Sequence, residues 1–154
     1  MKLTCYASVA VMLLGFASAP CLAEVHDHEH AAGSAKLQLN KGKKWATDQS
    51  LRLGMSRINA VFASKSSFDS GDRTTERAYV WLAQKIQVEV TFIMQNCKLD
   101  KEPDAMLHIV LADLIDGADV MQGNKPNQKP YDGVVKARQA LKNYAAYFDH
   151  PGWK

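Results

Sequence analysis

An all-α fold, an antiparallel up-down-up-down bundle of four helices, is predicted by two features of the chain. Four segments repeat apolar residues at helical spacing. The loops between them, roughly six to ten residues each, are short enough to keep successive helices antiparallel.

The first helix is expected over 48–63. Thr47 and Asp48 give the N-cap signal, and Leu51, Met55, Ile58 and Phe62 form one stripe. Residues 64–73 (S-K-S-S-F-D-S-G-D-R) read as a loop by composition. The second helix starts near Thr74 or Thr75 and runs to about Cys97, with Leu82, Ile86, Val90, Ile93 and Cys97 on its stripe. Its patch V-E-V-T-F-I has strand propensity, which the helical repeat on both sides overrides. The third helix opens at Pro103 and Asp104, carries Leu107, Leu111, Leu114, Ala118 and Met121, and stops at Gly123 and Asn124. After a loop K-P-N-Q-K-P-Y, the fourth is capped by Asp132 and buries Val134, Ala137, Leu141, Tyr144 and Phe148. D-H-P-G-W ends it, and Trp153 is expected to fold back over the end of the bundle, with a partner-docking tail as the alternative.

Ahead of the helices the chain reads as three parts. Residues 1–23 have the pattern of a secretory signal peptide: Lys2, an apolar core over 9–16, and Cys21-Leu22-Ala23 as a small-x-small cleavage site. Cys21 also invites lipid attachment, but Pro20 stands where that processing wants a small residue. Residues 24–35 are polar, small and histidine-rich and read as a disordered tail. Residues 36–154 form the four-helix-bundle domain, entered through 36–46, whose Leu37, Leu39 and Trp45 lie against the body. The expected location is the periplasm. No later window offers about 18 unbroken apolar residues, so the protein is not expected to be membrane-embedded. Lys+Arg total 19 against Asp+Glu 16, interspersed with no basic stripe, which excludes a nucleic-acid footprint.

Two places can bind metal. In the tail, His26, His28 and His30 alternate with Asp27 and Glu29, so an extended chain turns all three imidazoles to one side, a set suited to Zn(II), Cu(II) or Ni(II). Cleavage after Ala23 would also give a mature end Glu24-Val25-His26. A free amine with histidine third can wrap a square-planar Cu(II) or Ni(II) using the intervening amides.

The other place is one end of the bundle. With antiparallel helices rising about 1.5 Å per residue, Met55 is expected about 10 Å from that end. Met94 and Cys97 fall within one turn of it and His108 about 6 Å away, with Tyr144 and Phe148 reaching the same layer. Thioether, thiolate and imidazole at one level suit Cu(I); Met55 with His108 alone would suit haem iron. Against this, methionine on a stripe is ordinary core filler, and a lone cysteine often acts as a small hydrophobe. His108 sits about 80° from the centre of its stripe, where Asp104 can satisfy it. Cys97, the one cysteine outside the signal, is an odd thiol for an exported protein. There is no nucleophile–base pair, Gly-rich phosphate loop or C-x-x-C, so no enzyme is expected.

Three stretches carry a family likeness: L-N-K-G-K-K-W-A-T-D-Q-S-L-R-L-G-M (39–55), N-C-K-L-D-K-E-P-D-A-M-L-H (96–108) and Y-F-D-H-P-G-W (147–153). They resemble the small exported proteins called DnrO-type. The resemblance implies a denitrification and nitrogen-oxide-response setting rather than a mechanism. A looser likeness is to the b562-type cytochromes, periplasmic four-helix bundles that hold haem between a methionine of the first helix and a histidine of the last. Met55 matches the first role, whereas His108 falls on the third helix and the fourth has no histidine before His150. The expectation is a periplasmic protein that handles or senses a transition metal, copper ahead of others. The alternatives are a haem-binding or nitric-oxide-responsive bundle and a cofactor-free structural or partner-binding module, the partner being another periplasmic protein.

Overall fold

The computed structural model describes residues 36–64 and 76–153. They form four helices: α1 Gln49–Ser64, α2 Glu76–Asn96, α3 Lys101–Met121 and α4 Pro130–Tyr147. The all-α expectation is met. Among the described residues the only extended pairing is two isolated bridges, Asn40 with Lys43 and Trp45 with Phe148. The expected signal peptide and tail, and residues 65–75 of the first connection, lie outside the described residues.

Helix boundaries follow from local chemistry, and two differ from expectation. Asp48 caps α1 as anticipated: its Oδ1 accepts the Leu51 N–H at 2.7 Å. α3 starts at Lys101, two residues before Pro103, because a proline in the first turn lacks only an N–H that would have had no helical partner. α4 likewise starts at Pro130 rather than behind a cap at Asp132. Proline at the first helical position is preset for the helix, so Asp132 becomes the third helical residue, and its carboxylate accepts the Lys129 N–H at 2.9 Å. Gly123 ends α3 as expected, with φ of 78°. That left-handed turn lets the Asn124 N–H reach back to the Asp119 carbonyl at 3.0 Å.

Each helix packs on the next along the chain, α3 against α4 most extensively, and α2 also touches α4. The stripes read from the sequence supply the core, including Leu51, Met55, Ile86, Ile93, Leu114 and Tyr144. Val90 and Ile93 of the strand-prone patch are buried on α2 while Val88 faces outward, as a helical period requires. No described helix is long and apolar enough to cross a membrane.

The α3–α4 contact depends on two glycines. A methyl group on Gly133 would lie 2.8 Å from both Cγ and N of Met121 and closer still to the Gly117 carbonyl oxygen. Gly133→Ala should therefore destabilise the protein, although alanine gains about 1 kcal/mol in helix propensity. The opposing clash is with backbone, which cannot rotate away, and overpacking of this kind costs about 1 to 3 kcal/mol. Urea denaturation checks it: a midpoint at or above wild type would show that the helices can separate without loss.

The entry segment is tied to the end of the chain. Trp45 N–H donates to the Tyr147 carbonyl and Asp149 N–H to the Trp45 carbonyl, both at 2.8 Å. The Thr47 hydroxyl donates to the Asp149 carbonyl and the Lys44 ammonium to the Ala145 carbonyl, both at 2.6 Å. Leu37 and Trp45 pack against the core as expected. Leu39 does not: it is 42% exposed.

Candidate functional site

The connection between α2 and α3 is only four residues long, 97–100, and is held from α1. Besides capping α1, Asp48 accepts the Lys98 N–H at 2.6 Å through Oδ2 and the Cys97 thiol through its carboxylate. Burial pulls the Asp48 pKa upward. The N–H groups of Leu51 and Lys98, the Cys97 thiol and the Arg52 charge outweigh it, leaving Asp48 below its ordinary value. Cys97 responds in the opposite sense. Desolvation, the Asp48 charge and hydrogen bond, and Asp104 push its thiol up to about 12.

Beside this corner lies a cleft of about 70 Å³ lined by Ile93, Met94, Cys97, Asp104, Leu107, His108 and Leu111. It thus brings together three of the four bundle residues expected to share a layer: Met94, Cys97 and His108. Met94 is 60% exposed and the His108 side chain 61%. His108 Nδ1 lies 2.9 Å from the Asp104 carbonyl oxygen and 3.4 Å from its carboxylate, so Nε2 is the nitrogen left for an incoming partner. Met55 does not line this cleft. It is fully buried on α1 among the core side chains, whereas His108 is on the surface; the pairing a haem would need is not among the cleft's contacts. Met94 and Met55 lie on opposite sides of the same distinction, one accessible donor and one packed core side chain.

Comparison with protein-family models, curated proteins and solved structures gives no match. Among the described residues, no three His, Cys, Asp or Glu side chains gather as a metal-holding group. What the cleft offers is a thioether, an imidazole and a thiol, a soft donor set. Of these, the thiol is the reluctant member. Metal must displace its proton, and a pKa near 12 leaves a thiolate fraction at pH 7 on the order of a thousandfold below that of a thiol at 9.0. His26, His28 and His30 lie outside the described residues.

A second polar cluster, where α1 meets the end of α4, was missed by reasoning from helical stripes. Tyr144 is fully buried, with its hydroxyl 3.0 Å from His150 Nδ1. His150 Nε2 lies 3.3 Å from the Ser56 hydroxyl on α1, and the Trp153 ring is 5.0 Å from the His150 ring and 4.9 Å from that of Tyr144. Trp153 thus folds back as the aromatic run suggested. One signal could have found His150: a tyrosine placed on a core stripe must find a partner for its hydroxyl, and an imidazole stands six residues further on, just past the helix end.

Proposed function

We propose that this is an exported periplasmic protein that handles or senses a transition metal, copper first, in a nitrogen-oxide-response setting. It is built as an antiparallel up-down-up-down four-helix bundle with a histidine-rich tail. The observation that carries the metal reading is the convergence of Met94, Cys97 and His108 on one cleft beside the α2–α3 corner. Support for export is the leader pattern in residues 1–23, and support for the setting is the likeness in 39–55, 96–108 and 147–153. The antiparallel arrangement draws support from the Asp48–Lys98 bond, which joins the start of α1 to the end of α2, and from the contact of Gly117, late in α3, with Gly133, early in α4.

On this reading Met94 and His108 are the working donors at neutral pH, and the Cys97 thiol, pushed up to about 12, is the reluctant one. Cys97 joins when a soft ion drives its proton off. The tail residues His26, His28 and His30 make a second site, for Cu(II).

The test is Cu(I) competition titration of the mature chain with His26, His28 and His30 all changed to alanine, which isolates the cleft. In that background His108→Ala and Met94→Leu are each expected to weaken Cu(I) by on the order of tenfold or more. Cys97→Ser should do less at pH 7 and progressively more as pH rises. Equal affinities in all these chains would end the cleft site and leave a tail-only or cofactor-free protein. Cu(II) binding to the mature chain itself should lose one tight equivalent in His26→Ala, provided mass spectrometry shows Glu24 as the first residue.

A further inference from the structure

The cluster around His150 has no part in the metal reading, and it sits where the two ends of the described chain are fastened together. Residues 148–153 leave α4 in extended form: Phe148 pairs with Trp45, and a turn at Pro151 and Gly152 brings the Trp153 N–H to the His150 carbonyl at 3.1 Å. Gly152 takes φ of 80°, a value that suits glycine. The turn lays the Trp153 ring against His150 and Tyr144. The imidazole reaches both α4 and α1, through Tyr144 and Ser56.

We propose that residues 148–153 form an acid-released latch on the entry segment: the neutral His150 ring, clasped by Tyr144 and Ser56 and faced by Trp153, holds it shut, and an imidazolium opens it.

The hydrogen-bond inventory supports this. In one neutral tautomer the Tyr144 O–H donates to Nδ1 while Nε2–H donates to the Ser56 oxygen, so every group is paired. Protonation puts a hydrogen on Nδ1 and forces the Tyr144 hydroxyl to accept instead. Its own hydrogen must then find an acceptor around a side chain that has no exposed surface, and an unpaired buried donor is costly. The charges around the ring act in the same direction. From α1 it faces Arg52, a like charge for an imidazolium; from α4 it meets the neutral Tyr144. Asp48 and the Cys97 corner act on Tyr144, and Asp149 adjoins His150 in the chain. Burial first and the Arg52 charge second hold the His150 pKa below its ordinary 6.5.

The direction of the pH effect follows. A depressed folded pKa means that the folded latch binds fewer protons than the open one between that value and 6.5. Its contribution is complete above about 6.5 and is lost as pH falls through the folded value. Opening undoes the Trp45–Tyr147 and Asp149–Trp45 bonds, which also hold the segment leading back to the tail. The latch therefore loosens the entry segment in acid while α2 and α3 stay folded.

Amide hydrogen exchange by NMR on the mature chain tests it, with protection corrected for the intrinsic pH dependence of exchange. Between pH 7.5 and pH 5, protection at the Trp45 and Asp149 amides should fall by on the order of tenfold. Amides inside α2 and α3 should hold. In His150→Gln, which keeps a donor and an acceptor but does not titrate, protection at the two amides should be level with pH. The proposal is overturned if wild-type protection there does not change with pH, or if His150→Gln shows the same pH dependence. Should the glutamine variant leave the segment open at every pH, direct titration of the wild-type His150 ring decides. A midpoint below 6.5 that coincides with movement of the Trp153 indole resonance supports the latch, and a midpoint at or above 6.5 overturns it.

Discussion

Tyr144→Ala is expected to lower the free energy of unfolding by about 3 to 5 kcal/mol, as loss of a large buried aromatic does when its surroundings cannot collapse. The size of the effect follows from what the ring touches. Tyr144 is fully buried, stacked on Phe148 with centroids 5.3 Å apart and 15° between planes, and it meets the edges of Trp153 and His150. Its removal leaves a hole where α4, the entry segment and the last residues converge. Tyr144→Phe separates packing from hydrogen bonding. The ring is kept and only the bond to His150 is lost, so about 1 kcal/mol is expected. Urea denaturation followed by circular dichroism distinguishes the two. A loss below 1 kcal/mol for the alanine variant would mean that this aromatic end is not a packed part of the core.

The contrast between this end of the molecule and the helices explains what could be read from the sequence. The stripes of all four helices were legible because a 3.6-residue period sorts one side chain after another to the same face, and each sorting agrees with the rest. Leu51, Met55, Ile58 and Phe62 on α1 are buried as a set for that reason. Helix starts were less legible where proline was involved, since Pro103 and Pro130 are tolerated anywhere in the first turn and so do not mark its first residue. The candidate site was legible in part. Rise per residue along short-looped helices brought Met94, Cys97 and His108 to one level, and they line one cleft. Height alone does not say which way a side chain faces, and Met55, at a comparable level, points into the core. The bonds of Asp48 to Cys97 and Lys98, and of His150 to Tyr144 and Ser56, join residues 49 to 94 positions apart or depend on a non-repeating turn. No local period encodes such contacts.

Met55→Ala is expected to cost about 2 to 5 kcal/mol of stability while leaving Cu(I) affinity unchanged in the chain whose tail histidines are alanine. Met55 has no exposed surface, and deleting its thioether leaves a cavity bordered by core side chains that are themselves fixed. Met55→Leu, nearly equal in volume, should cost less than about 1.5 kcal/mol. Met94→Leu gives the reverse pattern. Its position is 60% exposed, so stability should change by no more than about 0.5 kcal/mol, as for most surface substitutions. Its Cu(I) affinity should fall, because leucine has no sulfur to offer the cleft. The pair of measurements therefore assigns each methionine by a different readout, unfolding for one and competition titration for the other. A Met55→Ala chain that keeps its stability but loses copper would reverse the assignment and return Met55 to the ligand set that the helical rise alone suggested.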